Sequence, residues 1–204
     1  AKAIRIHDYV RDEIAFGWTD SFYRMSAIDV LKAKVGYCNT KGTLFIALLR
    51  AAGIPARQRF VAIPSDVLSG LVDPGTPKVD HSYSEVWLDD RWVRVDSYIV
   101  DRPLFIQAQK ALAASGRSVG FGIRLGGLTD WNGIDDSFLQ FARDDNDTDT
   151  EHYGVFLDVE DYYQQVDGWN ELSGLRSLLI PLFIGQATSQ VESLRVGTRS
   201  DSSD

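Results

Sequence analysis

The sequence predicts a fold that combines helices with antiparallel strands, and three observations lead to that prediction. Residues 44–52 are apolar around almost the whole circumference of a helix, which is typical of a buried helix. Residues 82–88 and 91–97 read as two strands joined by a two-residue turn, which indicates a β-hairpin. Helical patterns also come before the first of these segments and after the hairpin.

The N-terminal region is predicted to be helical in two places. Over residues 2–16 apolar residues recur near helical spacing, with charged residues between them: Ile4, Tyr9, Val10 and Ile14. Gly17 is expected to end this helix. A second, short helix is predicted after Ser26, because the Ser26 hydroxyl can cap it while Asp29, three residues later, completes a capping box.

The segment that begins at the single cysteine predicts a helix followed by a strand. Gly53 is a fitting C-terminal cap for the helix, and Pro55 prevents its continuation. Residues 56–63 read as a strand. The Pro, Gly and Asp residues of 64–77 then indicate a loop before the hairpin.

The predicted hairpin has a definite register. If residues 89–90 form the turn, residues at equal distances from it on the two strands face each other. Glu85 then faces Arg94, which pairs an anion with a cation, and Trp87 faces Trp92, which pairs two indoles. The same register sets His81 opposite Tyr98 and Asp96 opposite Tyr83. His81 and Asp96 are then diagonal neighbours on one face, close enough for the carboxylate to reach the imidazole.

Cys38 is a candidate nucleophile. It opens the predicted buried helix, where unpaired backbone N–H groups and the helix dipole favour an anion, so its thiol should ionise readily. In this hypothesis Asp96 orients His81, and His81 activates Cys38 and later protonates the leaving group. Each residue also has a structural interpretation: a small core thiol, a satisfied histidine, and a turn or capping aspartate.

The second half of the chain has weaker patterns. Residues 103–114 are predicted to form a helix, and the glycine-rich residues 116–127 a flexible loop over the site. Further helices are predicted near residues 158–166 and 169–184. Residues 198–204 are expected to be a frayed tail.

Composition and charge limit the expected partners. The net charge of −8 would repel a phosphate backbone, so nucleic acid is not expected to bind. No apolar run reaches the roughly 18 residues of a membrane span, and the start lacks a secretory signal pattern. These features predict a cytoplasmic protein that does not bind membranes, although secretion stays open if the N-terminus is trimmed. The oligomeric state is left open.

Neither a disulfide nor a bound metal is expected. The chain has one cysteine, so an internal disulfide is excluded. That cysteine and the three histidines, His7, His81 and His152, fit no structural zinc spacing. The sequence therefore predicts chemistry performed by side chains, with no cofactor.

Three ordered motifs resemble those of the transglutaminase-like superfamily, which has a papain-like fold. They are a helix, IHDYVRDEIAFG, a cysteine segment, GYCNTKGTLFIALLRAAGIPAR, and a segment with the histidine and aspartate, DHSYSEVWLDDRWVRVDS. The resemblance covers about residues 4–100. The superfamily includes crosslinking transglutaminases, peptidases, peptide N-glycanases and many single-domain bacterial proteins.

The resemblance implies an α+β core in which N-terminal helices and the cysteine helix pack on an antiparallel sheet. Residues 1–115 would form this catalytic core. Residues 116–197 would be a loop and helical elaboration packed on the core within the same domain, and residues 198–204 a flexible tail. The chain is too short for the additional β domains of animal transglutaminases, so a calcium-dependent crosslinker is disfavoured.

The resemblance also implies that Cys38, His81 and Asp96 form a catalytic triad. Two positions depart from the common pattern, because Tyr83 stands where a tryptophan is frequent and Ser97 where a proline is frequent. Both departures argue against assigning a subfamily. Neither removes a catalytic group.

The donors to the oxyanion are less defined by sequence. The Cys38 backbone N–H is the first candidate. The resemblance suggests an indole upstream of the cysteine as the second donor, for which Trp18 is the nearest candidate, although Trp18 could equally be a core or groove aromatic. Tyr37 and Tyr83 are further candidates for the oxyanion site or the cleft.

The activity expected from these residues is hydrolysis of an amide through a thioester acyl-enzyme, with a peptide or protein as substrate. Acyl transfer from one amine to another is the alternative within the same chemistry. A papain-like module that only binds peptides is the alternative without catalysis.

Overall fold

The computed structural model of the chain describes residues 1–141, 149–169 and 180–197. Within these ranges the α-helices are α1 (Lys2–Glu13), α2 (Ala27–Ala33), α3 (Cys38–Ala51), α4 (Arg102–Ser115), α5 (Val159–Gln165) and α6 (Ile180–Arg195). The strands are β1 (Ala15–Phe16), β2 (Val35–Gly36), β3 (Ala56–Pro64), β4 (Lys78–Leu88), β5 (Arg91–Val95), β6 (Val119–Gly120), β7 (Ile123–Arg124) and β8 (Glu151–Phe156). This combination confirms the predicted α+β class.

The first helix is shorter than predicted. Helix α1 ends at Glu13, because Ile14 takes an extended conformation and the chain continues into β1 rather than to Gly17. Strand β1 pairs in parallel with β2, which leads directly into the cysteine helix. The predicted capping box of α2 is confirmed, since Ser26 accepts from the Asp29 backbone N–H and the Asp29 carboxylate accepts from Ser26.

Helix α3 is buried, as its apolar circumference predicted. It packs on β3 and β4, and its apolar residues Leu44, Phe45, Ile46 and Leu49 are all buried. Gly53 follows the helix with φ of 79°, a left-handed conformation that a residue without Cβ adopts without strain. The helix therefore stands on the sheet with Cys38 at its N-terminal end.

The sheet has the strand order β5-β4-β3-β8, and its neighbours are antiparallel. The hairpin of β4 and β5 has the predicted register, with Glu85 opposite Arg94 and Trp87 opposite Trp92. Its two turn residues, at positions 89 and 90, have φ of 48° and 62°, which suits a tight left-handed turn. Strand β8 was not predicted from the sequence.

The ladder of this hairpin stops earlier than predicted. Its last pair is Ser84 with Val95, so the expected pairs of Tyr83 with Asp96 and His81 with Tyr98 do not form. Instead, Val95 forms a parallel bridge with Ser137, a residue more than forty positions downstream. The chain after β5 thus pairs with a different segment, which surrounds Asp96.

The glycine-rich run does not form the predicted flexible loop. Residues 119–124 make a short hairpin of β6 and β7, with Phe121 buried at its tip. The Phe121 ring lies so close to Gly70 that a Cβ there would be 2.2 Å from the ring. The prediction was wrong because buried Phe121 anchors the glycines on either side of it.

The remaining helices agree in part with the sequence. Helices α4 and α5 confirm the predicted segments 103–114 and 158–166. The predicted helix at 169–184 lies mostly outside the described residues. Its last residues fall in α6, which begins at Ile180 and extends beyond the predicted end to Arg195. The predicted tail, 198–204, also lies outside them.

Helix α6 is tied to the N-terminal half of the chain through its last residue. Arg195 forms an ion pair with Asp101 at 2.9 Å and donates to the Phe16 carbonyl oxygen. Asp101 in turn caps α4 by accepting from the Leu104 backbone N–H. Among the described helices, none combines the length and the apolar character needed to cross a membrane.

Candidate active site

Cys38 lies at the N-terminus of α3, in the wall of a cavity that also contacts His81. Its side chain is only 7% exposed. The Sγ atom lies 3.5 Å from the Asn39 side-chain oxygen and 3.9 Å from the Asp80 carbonyl oxygen. The thiol therefore lines the cavity and has two polar oxygens beside it.

His81 lies on β4 and is held by a carboxylate. Its Nε2 atom is 3.1 Å from Asp96 Oδ2, and both side chains are almost completely buried, at 1% and 0% exposure. Because Nε2 is engaged by Asp96, Nδ1 is the ring nitrogen left for Cys38. The arrangement places one imidazole between a carboxylate and a thiol.

The pKa of His81 is raised from 6.5 to about 9. Burial alone would lower it, but hydrogen bonds to Asp96 and Cys38 and the negative charges on both residues outweigh that effect. At neutral pH the imidazole therefore carries a proton. A cation of this kind stabilises an adjacent thiolate.

Asp96 is fixed by a segment that sequence reasoning missed. Besides His81, its carboxylate accepts backbone N–H groups from Leu139, from Gln140 at 3.2 Å and from Phe141 at 2.8 Å. A buried carboxylate needs such donors to remain ionised in place. No local pattern marked residues 139–141, because their role depends on a backbone that returns to β5 from far along the chain.

A cavity beside Cys38 is lined mainly by apolar side chains. Its aromatic wall is formed by Phe16, Trp18, Phe22 and Tyr37. Its aliphatic wall comes from the segment between the end of β3 and the start of β4: Ile63, Val67, Leu68, Pro74 and Val79. The described polar residues that line it are Cys38, Asp80, His81 and Gln140.

Asp80 directs its carboxylate toward α5 and the chain after it. Its oxygens accept from the hydroxyls of Tyr162 and Tyr163, both at 3.1 Å, and from the Trp169 backbone N–H at 3.0 Å. Asp80 thereby anchors α5 beside the site. In the sequence, this anchoring role was indicated only by the position of Asp80 directly before His81.

Gln140 is a second residue that the sequence did not reveal. Its side chain lines the cavity and donates from Nε2 to the Gly122 carbonyl oxygen at 2.8 Å. Its backbone N–H binds Asp96. Gln140 therefore connects the carboxylate, the β6–β7 hairpin and the cavity.

Two of the three predicted cleft aromatics line the cavity. The Trp18 ring lies 5.2 Å from that of Phe16 and 6.2 Å from that of Tyr37. The Tyr37 hydroxyl is buried without a hydrogen bond to a described residue; the Asn39 amide lies close by but not in hydrogen-bonding geometry. An unsatisfied buried hydroxyl of this kind is costly unless a ligand completes it.

Tyr83, the third candidate, does not line this cavity. It shares a face of β4 with His81, but Phe141 stacks on both rings, at 5.1 Å from Tyr83 and 6.5 Å from His81. Residues two apart on a strand point to the same face but lie almost 7 Å apart along it. Tyr83 therefore contacts Phe141, which in turn packs against His81.

The described residues contain no group of three or more His, Cys, Asp or Glu side chains that could hold a metal ion. The described lining of the cavity also has no lysine or arginine with which to bind a phosphate-bearing cofactor.

The stability of the protein is expected to depend on His81 in a defined pH window. Because the folded-state pKa is raised from 6.5 to about 9, the stabilisation is complete below pH 6.5 and is lost as the pH rises through about 9. Urea unfolding of the wild type and of His81→Gln should show a stability difference that shrinks over this window. Taking the difference cancels Lys41, whose pKa burial lowers to about 7 in both proteins.

The control for this experiment is His152→Gln, which changes an exposed histidine on β8. Its stability should follow that of the wild type at each pH. A His81→Gln difference that stays constant from about pH 6 to pH 9.5 would contradict the raised pKa.

Part of the chain is similar to known proteins. The sequence matches the family described as the Transglutaminase-like superfamily over residues 1–97. Among solved structures, a protein described as a candidate cysteine protease from Cytophaga hutchinsonii matches with 23% identity and a TM-score of 0.37, over 46% of this chain and 29% of that chain. A comparison with curated proteins finds no match. Residues 1–97, which carry Cys38, His81 and Asp96, are thus similar to the transglutaminase-like superfamily.

Proposed function

We propose that this protein is a cysteine-dependent amide hydrolase that acts on a peptide or protein through a thioester. Cys38, His81 and Asp96 would be its catalytic residues. The observation that carries the proposal is the buried His81 imidazole, bound by Asp96 and close enough to Cys38 for its pKa to rise to about 9. A merely structural histidine does not need a carboxylate on one side and a thiol that lines a cavity on the other.

In the acylation step Cys38 Sγ attacks the amide carbonyl carbon. The new S–C bond forms as the carbonyl electrons move to oxygen, and collapse of the tetrahedral intermediate breaks the C–N bond. His81 gives its proton to the departing nitrogen, and Asp96 keeps the ring oriented throughout. The product of this step is a thioester on Cys38 and a free amine.

The oxyanion would be bound at the N-terminus of α3. The Cys38 backbone N–H is the first donor, because the first amides of a helix lack intrahelical partners. For a second donor we favour the Tyr37 hydroxyl, which is buried without a hydrogen-bond partner among the described residues and belongs to the aromatic wall. The Trp18 indole is the other candidate in that wall.

Water completes the cycle in this proposal. His81, neutral after acylation, takes a proton from the water that attacks the thioester, and the acid leaves as Cys38 is regenerated. An amine that attacks instead would give acyl transfer by the same steps. We assign hydrolysis because water needs no second binding site.

The first test is the reactivity of the thiol. Iodoacetamide is expected to alkylate Cys38 well below pH 8.5, the usual pKa of a thiol, since the protonated His81 stabilises the thiolate. The rate is measured by intact-protein mass spectrometry from about pH 5 to pH 9. Cys38→Ser, with no other cysteine in the chain, is the control for alkylation elsewhere. Alkylation that starts only above about pH 8.5 would favour a binding module over an enzyme.

A further inference from the structure

We propose that the acyl part of the substrate is an apolar group that binds against the aromatic and aliphatic walls of the cavity. This inference rests on the proposed function, because it takes Cys38 as the group that attacks the substrate carbonyl. It adds a substrate class, which the triad alone does not define. The walls and the charges of the cavity each support it.

The aromatic wall is already assembled without a ligand. The rings of Phe22 and Tyr37 stack at 5.4 Å with an angle of 21° between their planes, and Trp18 packs beside Tyr37. These residues are buried, so the wall is held by its neighbours. A preformed apolar surface binds an apolar group without first losing side-chain entropy.

The aliphatic wall is formed by a connection rather than by the sheet alone. Val67 and Leu68 lie in the 3₁₀ turn Ser65–Leu68, and Val79 lies at the start of β4. Leu68 is only partly buried, which places it at the accessible part of this wall. A flat or branched apolar group that enters the cavity would contact carbon atoms on both sides.

The charges near the cavity disfavour an acidic acyl group. Its described lining contains no lysine or arginine, and the cation that is present, His81, is bound by Asp96. The Asp80 carboxylate accepts three hydrogen bonds from the α5 region and would repel a second carboxylate. An acidic group would therefore lose its hydration without a cationic partner.

The test uses the p-nitrophenyl esters of N-acetyl-phenylalanine, N-acetyl-leucine, N-acetyl-glutamine and N-acetyl-glutamate. Cys38 attacks the ester carbonyl, the S–C bond forms, and the C–O bond breaks to release nitrophenolate, which is followed by its absorbance. Cys38→Ala gives the background. We expect kcat/KM for the phenylalanyl and leucyl esters to exceed that for the glutamyl ester by about 100-fold or more.

A wall variant shows whether the cavity is the cause. Leu68→Arg adds a cation to the aliphatic wall and should reduce the preference for leucyl over glutamyl ester by at least about tenfold. Leu125→Arg is the matched control, because Leu125 is 69% exposed and does not line the cavity. It should keep the wild-type preference. The wild-type series tests the inference even if the Leu68 variant does not fold.

The outcomes separate this inference from the proposed function. Equal kcat/KM for glutamyl and apolar esters, with acylation that requires Cys38, would overturn the substrate class and leave the hydrolase standing. Wild-type preference in a folded Leu68→Arg variant would show that this wall does not select the acyl group. If no ester acylates Cys38, the proposed function fails, and the inference fails with it.

Discussion

Replacing His81 with alanine is expected to lower kcat by about ten-thousand-fold or more. The variant loses both the cation that stabilises the thiolate and the acid that protonates the leaving amine. The measurement is the rate of amide hydrolysis on an apolar acyl substrate at about pH 7. Since the cavity contacts His81 directly, added imidazole can occupy the space of the missing ring and should restore part of the activity.

His152→Ala is the matched control for this experiment. His152 is exposed on β8 and pairs with Val61 in the sheet, so its removal changes a histidine without changing the triad. Its kcat should stay within about twofold of the wild type. A folded His81→Ala protein with nearly wild-type kcat would remove this histidine from the mechanism.

Changing Asp96 to asparagine is expected to lower kcat by about a thousand- to ten-thousand-fold. The aspartate accepts from His81 and from the three backbone N–H groups of residues 139–141. An asparagine has one acceptor oxygen and a donor amide in place of the second oxygen. Either the imidazole takes the wrong tautomer or a backbone N–H is left unsatisfied.

The same substitution should also destabilise the fold by about 1–3 kcal/mol, because a buried donor loses its acceptor. Urea unfolding gives this quantity, and iodoacetamide alkylation gives the reactivity of Cys38 in the same protein. Asp89→Asn is the control, because Asp89 is an exposed turn residue with φ of 48°, a conformation that asparagine tolerates. If Asp96→Asn is folded and still has wild-type kcat, then the carboxylate does not orient His81.

Local patterns predicted the elements that bring the candidate triad together. The apolar circumference of residues 44–52 predicted α3, and the Gly53 cap agreed with its end. The hairpin register followed from a two-residue turn and two chemically matched cross-strand pairs. These features are readable in a single sequence because helix burial and strand pairing have fixed periods of about 3.6 and 2 residues.

Long-range contacts were not predictable in this way. The pairing of Val95 with Ser137 stops the hairpin ladder and brings residues 139–141 onto Asp96. Strand β8 joins β3 from a region with no clear strand pattern. The exclusion of Tyr83 from the cavity depends on Phe141, which inserts between two residues of one strand face. The two segments in each of these contacts are far apart in the sequence, so no local periodic pattern predicts the contact.

The sequence by itself determined which residues could perform the chemistry: one cysteine at the start of a buried helix, and a histidine and an aspartate on one hairpin. The tertiary structure decided how they are supported and what lies in front of them, namely the backbone donors to Asp96, the anchoring of α5 by Asp80 and the two apolar walls. The physical reason is that secondary structure is encoded by neighbouring residues, whereas a cavity and a buried carboxylate's donors come from segments that only packing brings together.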